Sequence, residues 1–270
     1  MISLEEKRVY SDKREHSLAY VATGLGLVAV EMVEERVGGF SVVHRGTTRD
    51  VATADGLVVA ATAEDVVVRG ADGESFEPLG FGPATAVGFA DGDLLVAGAD
   101  GALTRVADDE REPVATLDSP VHAIDGDLLA TPDGVYRVTA DGVSYAGLSA
   151  VADVSVVGVP LAATANGLYR LGNGWMDALD GTFTAVSAEA ATATPGTLGR
   201  AHAVSAGVLY AHDAGEWSAL DLPVDEAAVD VAYGEGLYVV TDAGTFLARA
   251  GDGWRAQALG VRDVRALAVA

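Results

Sequence analysis

Four of the five Asp-Val dipeptides in this chain of 270 residues, Asp50-Val51, Asp153-Val154, Asp230-Val231 and Asp263-Val264, stand at the start of a repeat's first apolar strand. Hard divalent cations take several oxygen ligands, so carboxylates brought to one opening would suit calcium or magnesium, or would raise one another's pKa by repulsion. The same carboxylate at a strand entry can instead accept hydrogen bonds from turn backbone, a structural use. Other chemistry-bearing residues do not gather. His16, His44, His122, His202 and His212 lie far apart without ligand-like spacing, and no G-x-S-x-G, H-E-x-x-H or P-loop occurs. Gly24-Leu25-Gly26-Leu27-Val28-Ala29 spells a dinucleotide fingerprint, but phosphate binding there needs a helix N-terminus, and both flanks read as strands.

The elements that must position these aspartates come from a repeat. In LAATANGLYRLGNGW (Leu161 to Trp175) an apolar run, an Asn-Gly turn, a second apolar run and a Gly-rich turn before an aromatic describe antiparallel strands. Related stretches start at Leu18, Leu57, Leu128 and Leu237. Aligned on a first strand of small apolar residues, copies begin near Thr47, Pro83, Ser119, Ala150, Thr182, Val224 and Val261, at spacings of 36, 36, 31, 32, 42 and 37 residues. That is the length of a four-stranded propeller blade, and no stretch shows helical periodicity. The expected fold is all-β, a single domain over residues 1–270: a seven-bladed β-propeller of four-stranded antiparallel blades.

The ends predict how the ring closes. VRDVRALAVA (Val261 to Ala270) has the form of an innermost strand without its hairpin, whereas residues 17–46 supply three strands without an innermost one. A blade shared between 17–46 and 261–270 completes both and leaves no open edge in the ring. Ahead of it, residues 1–16 form a charged leader that includes Lys7 and Lys13, the two lysines of the chain.

An AAT or VVT strand, a [DN]G turn, [LV]Y[RA], and then glycine with an aromatic resemble the degenerate repeats of the BNR and Asp-box β-propellers, the superfamily that includes sialidases. Traces of the Asp box stand at Asp72-Gly73, Asp141-Gly142, Asp213 with Gly215, and Asp252-Gly253, without its Ser and Thr. The resemblance covers nearly the whole chain and implies a propeller without implying chemistry, since the Asp box is a structural turn. With the acidic composition, the chain is similar to β-propeller proteins of halophilic archaea. A sialidase-type site would need an arginine cluster, a carboxylate acid and a Tyr-Glu pair. The inner strands offer Arg49, Arg262 and Arg265 and no such pair. A metal-dependent hydrolase or lactonase at the channel mouth, using the four aspartates, is the enzymatic alternative.

Charge narrows the partners. Forty acidic residues against seventeen Lys and Arg give a net charge of -23, a surface that repels itself unless salt screens it. Nucleic acid and anionic membranes are therefore poor partners. No apolar run reaches the roughly 18 residues of a membrane span, and cysteine is absent. A cytoplasmic monomer that binds another protein is expected. One blade departs from the rest: AEAATATPGTLGRAH, Ala188 to His202, swells the turn between its first two strands. Long loops on a rigid scaffold carry recognition, so Arg200 and His202, together with Lys7 and Lys13, are the candidate partner-binding residues.

Overall fold

A computed structural model describes residues 16–33, 36–70, 73, 75–107, 110–251 and 253–270. The chain opens with β1 (His16–Thr23), β2 (Gly26–Val33) and β3 (Arg36–Arg45). Blade 1 follows as β4 (Thr48–Ala54), β5 (Leu57–Thr62), β6 (Val66–Arg69) and β7 (Phe76–Pro78). Blade 2 is β8 (Ala84–Ala90), β9 (Asp93–Gly98), β10 (Ala102–Ala107) and β11 (Glu110–Thr116). Blade 3 is β12 (Ala123–Asp125), β13 (Leu128–Thr131), β14 (Gly134–Thr139) and β15 (Gly142–Gly147). Blade 4 is β16 (Val151–Ser155), β17 (Leu161–Thr164), β18 (Gly167–Leu171) and β19 (Trp175–Leu179). Blade 5 is β20 (Phe183–Ala188), β21 (Ala201–Ser205), β22 (Val208–Asp213) and β23 (Glu216–Leu220). Blade 6 is β24 (Ala228–Tyr233), β25 (Leu237–Thr241), β26 (Thr245–Ala250) and β27 (Gly253–Ala258), and β28 (Val264–Val269) ends the chain.

Seven antiparallel sheets of four strands result, and the seventh has the order β28-β1-β2-β3. The shared blade is therefore real. Tyr20 pairs with Ala268, Val21 with Leu267 and Thr23 with Val264, and the chain end is tied down by Ala270 N–H donating to Leu18 O at 2.8 Å. The innermost strand of each blade lies beside that of the next, and the core divides accordingly into seven clusters, one at each junction between neighbouring blades. Closure matters here because a blade left unpaired would expose one such cluster to water.

The small apolar repeats are explained by where they sit. Second strands such as β13, β17 and β25 are buried at every position, because a neighbouring blade covers each face. Alanine and valine keep those blades close. The threonine that ends most of these strands is buried and caps the next turn: Thr23, Thr131 and Thr164 donate to the carbonyls of Gly26, Gly134 and Gly167 at 2.7, 2.8 and 2.9 Å. Thr62 does the same to Asp65 O at 2.7 Å. The AAT/VVT signature thus encodes a strand buried on both faces followed by a satisfied turn.

Candidate functional site

Two places gather polar side chains. The first is the central channel, where a cavity of about 260 Å³ is lined by inner-strand residues that include Asp50, Asp125, Asp153 and Asp230. These carboxylates are staples between blades. Asp50, Asp153 and Asp230 each use one oxygen on the next amide of their own strand and the other on the adjacent blade's inner strand. Asp50 accepts from Val51 N–H at 2.8 Å and Val87 N–H at 2.9 Å. Asp153 accepts from Val154 at 2.8 Å and Val186 at 2.7 Å, and Asp230 accepts from Val231 and Leu267, both at 2.7 Å. The equivalent position in each receiving blade is an alanine (Ala86, Ala185 or Ala266), small enough to leave the amide reachable.

Asp125 performs the same task by another register. It stands two residues beyond Ala123, on the same face of β12 because side chains alternate, and accepts from Val156 N–H at 2.8 Å. Sequence reasoning missed it because it follows no Asp-Val dipeptide. Asp263 does not join the others. It is exposed in the turn before β28 with φ of 54°, and its carbonyl accepts from Gly24 N–H at 3.0 Å. The identical tripeptide Arg-Asp-Val at 49–51 and 262–264 suggested equivalence, but Leu267, not Val264, occupies the position of Val51.

Burial dominates the electrostatics of the channel. It pushes Asp50 up to about 7, with the Asp230 charge adding to it against two backbone hydrogen bonds. Burial pushes Asp230 up to about 6. Asp153 is raised well above its ordinary value by burial and then by the Asp230 charge, and Asp125 is raised by burial. Among the described residues no group of three or more His, Cys, Asp or Glu side chains is arranged to hold a metal ion.

The second place is a recess of about 470 Å³ between blades 5 and 6, on the face that carries the turns from first to second and from third to fourth strands. The long connection there runs from Glu189 to Arg200, between β20 and β21, so Ala188 and His202 themselves belong to strands. The loop is held in shape. Glu189 receives Arg200 Nε at 2.7 Å and Nη2 at 2.6 Å, Thr192 Oγ1 accepts from Arg200 N–H at 2.9 Å, and Gly196 N–H donates to Gly158 O of blade 4 at 3.0 Å. Gly158 has φ of +70°, and a Cβ there would lie 2.6 Å from Thr197 O, so the loop's seat on blade 4 requires glycine.

Behind this ion pair, His202 Nδ1 lies 2.5 Å from Tyr233 Oη, and its Nε2 is buried without a partner among the described residues. Burial and the nearby Arg249 and Arg200 charges depress His202 to about 4, so it stays neutral. Burial, then the Glu189 charge, raises Tyr233. Arg200 keeps a side chain 55% exposed beside that recess, while Glu189 beneath it is 11% exposed, a geometry that presents the guanidinium outward. Arg249 also lines the recess, and among the described residues it has no carboxylate within 4 Å. Tyr233 and Arg249 come from blade 6, and sequence separation concealed their approach to blade 5.

Lys7 and Lys13 lie outside the described residues, as do Asp72 and Asp252 of the Asp-box traces. Of the remaining traces, Asp141 falls in the turn between third and fourth strands of blade 3, and Asp213 ends the third strand of blade 5 just before the corresponding turn.

A family model described as Beta-prop_HVO_0234-like, beta propeller, matches residues 3–270, so the chain belongs to that family. No curated protein matches its sequence. Among solved structures, a chain of the nidogen/laminin complex is 10% identical with a TM-score of 0.60, the match covering 94% of this chain and 98% of that one. The WD40 domain of Neurospora crassa Pan2 is 16% identical with a TM-score of 0.61 over 82% of each chain. YCF48 bound to a D1 peptide is 14% identical with a TM-score of 0.59, covering 78% of this chain and 82% of that one. These similarities are of fold.

Proposed function

From a family membership that fixes the fold and leaves the role open, we propose that this propeller is a non-catalytic binding module that engages another protein through the face bearing the 189–200 loop. The carrying observation is that loop. The corresponding turns of other blades need as few as two residues, as at Asp55-Gly56, whereas this one has twelve residues between β20 and β21 and is pinned by an ion pair and by blade 4. Folding the ring does not require it, and a preorganised loop loses less entropy on binding. Arg200 and Arg249 offer cations on a chain of net charge -23, and His202 with Tyr233 forms the floor between them. Lys7 and Lys13 are assigned to the same role on sequence grounds. The working state is a monomer in a salt-rich cytoplasm, where screening leaves apolar contact to supply most of the affinity. Similar propeller structures include complexes, nidogen with laminin and YCF48 with a D1 peptide, which supports the class of role and no particular partner.

Replacing residues 189–200 with a short Gly-containing turn is the test. The ring should keep its melting temperature within a few degrees, and partners recovered at multimolar salt with the parent protein should be lost. Recovery of the same partners refutes the assignment of the face.

One observation favours a second reading, a metal-dependent hydrolase or lactonase: carboxylates from blades 1, 3, 4 and 6 converge on the channel. Against it, these oxygens already serve backbone amides. Calorimetric titration of calcium and magnesium at constant ionic strength separates the readings, because only the second predicts saturable heat that disappears on Asp153→Asn/Asp230→Asn.

A further inference from the structure

A recurring arginine of the third strands is left without its acid in blade 6. Arg137, Arg170 and Arg249 each pair across from the leucine that opens the second strand of their blade, Leu128, Leu161 and Leu237. The residue before that leucine decides what the guanidinium meets. In blade 3 it is Asp127, which forms an ion pair with Arg137. Blade 2 satisfies Arg105 with Asp93 at 3.5 Å, and blade 1 satisfies Arg69 with Tyr20 Oη at 2.8 Å and Gly56 O at 2.7 Å. In blade 6 the residue is Gly236, and in blade 4 it is Pro160. Arg249 accordingly makes no hydrogen bond or ion pair among the described residues, and its guanidinium carbon lies 5.7 Å from the centre of the Trp254 ring. Arg170 lacks an acid too, but of the two only Arg249 lines the recess between blades 5 and 6.

That recess holds about 470 Å³, within the roughly 300–1,000 Å³ of small-ligand sites. Arg200 enters it with Nε and Nη2 already committed to Glu189. His202 also lines it, 5% exposed, with Nε2 lacking a partner. The Tyr233 hydroxyl has no acceptor besides His202 Nδ1 among the described residues, so it donates there, and the neutral ring keeps its proton on Nε2. The result is a buried donor without an acceptor, which a ligand oxygen would satisfy.

Every charge around the recess bears on its occupant. Arg200 and Arg249 share it with Glu189, Asp213 and Glu235. Glu189 is spent on Arg200, and the exposed Asp213 and Glu235 lie more than 4 Å from either guanidinium. Asp252 lies outside the described residues. These acids leave room for a single negative charge and disfavour a phosphate dianion. The fold itself shows which group this register accepts, because Asp127 meets Arg137 at the position that Gly236 leaves bare. A planar carboxylate also matches the guanidinium fork with two parallel hydrogen bonds. We propose that the recess between blades 5 and 6 is a carboxylate-binding site, in which Arg249 pairs with the ligand as Arg137 pairs with Asp127. The source of the carboxylate rests on the loop-face reading: an acidic side chain or chain end of the bound partner. A second copy would bring a further net charge of -23 along with its acid, and a free organic acid is told apart by experiment.

Arginine Nε–Hε NMR signals of the full chain at constant ionic strength read the site. The probes are acetate, inorganic phosphate, acetyl-alanyl-glutamyl-alanine amide and the glutamine counterpart of that peptide. The glutamate peptide should shift the Arg249 signal and the Gly251 amide saturably and bind at least about threefold more tightly than acetate, with phosphate and the glutamine peptide at least about tenfold weaker than it. Gly236→Asp restores the acid of blade 3 and should weaken peptide binding at least about tenfold. A Cβ there would lie 3.0 Å from Arg249 O, so the melting transition of that variant is checked. Arg249→Gln, at an exposed side chain, should weaken binding equally by the Gly251 amide, and Glu235→Gln should tighten it. No saturation at about 100 mM glutamate peptide, an equal response to the glutamine peptide, a tighter grip on phosphate, or unchanged affinity in Gly236→Asp and Arg249→Gln would overturn the proposal. Acetate binding as tightly as the peptide keeps the site and assigns it to free acids. Partner recovery that survives Arg249→Gln but not replacement of residues 189–200 refutes a partner carboxylate in the recess and leaves the loop face standing.

Discussion

Replacing Asp50 with asparagine should reduce the pH dependence of stability, to which the raised Asp153, Asp230 and Asp125 also contribute. Asp50 is raised from 3.8 to about 7 in the folded chain, chiefly by burial. A carboxyl whose folded pKa lies above its unfolded value holds its proton better in the folded state. Its ionisation therefore costs stability as pH climbs from about 4 to 7, and the protein gains stability on moderate acidification. At about 1.4 kcal/mol per unit, acidifying from pH 8 to 5 is worth roughly 2 to 3 kcal/mol from this one group, an upper figure because the channel admits water near it. For a domain of this size that is about 5 to 10 °C in melting temperature.

Other groups titrate in the same window. His202, depressed to about 4, opposes the effect, because its folded form binds fewer protons than the unfolded chain between about 4 and 6.5. The wild-type minus Asp50→Asn difference cancels that contribution and the general repulsion of an acidic surface. Melting curves of both proteins at pH 5 and 8, at about 1 M KCl where the Debye length is about 3 Å, give the comparison. Parallel pH responses in the two proteins would refute the assignment of a buried, proton-holding staple.

Deleting residues 261–270 should remove β28, uncover the clusters around Ala19, Val21 and Tyr20, and turn a soluble ring into aggregate; size exclusion with light scattering shows either outcome. Thr164→Val keeps the shape but strips the hydroxyl that donates to Gly167 O at 2.9 Å and accepts from Asn166 N–H at 3.0 Å, and thermal denaturation should show a loss of about 1 to 3 kcal/mol. Gly88→Ala would place a Cβ 2.6 Å from Ile124 where inner strands of blades 2 and 3 meet, costing about 1 to 3 kcal/mol by the same measurement.

The fold was legible because its governing signals are local. The apolar runs, the turn glycines and the threonines that cap them lie within a few residues of one another, and the orphan strand at 261–270 announced its own missing hairpin. The candidate sites were less so. Asp50, Asp153 and Asp230 were found from a dipeptide, but their partners Val87, Val186 and Leu267 lie a blade away, and that register excludes Asp263. Asp125 follows a strand offset by two residues, which a dipeptide search cannot detect. Arg200 and His202 could be named from an overlong turn, whereas Glu189 as the anchor and Tyr233 as the floor depend on how blade 5 packs against blade 6.

Hydrogen exchange on the complex with a recovered partner tests the binding face most directly. Amides of residues 189–200 and of the 234–236 turn should slow on complex formation and return to their free rates with Arg200→Glu, while the channel-facing amides of Val87, Val186 and Leu267 exchange equally slowly throughout. Protection confined to the opposite face, or to the channel mouth, with the loop amides unchanged would contradict the account.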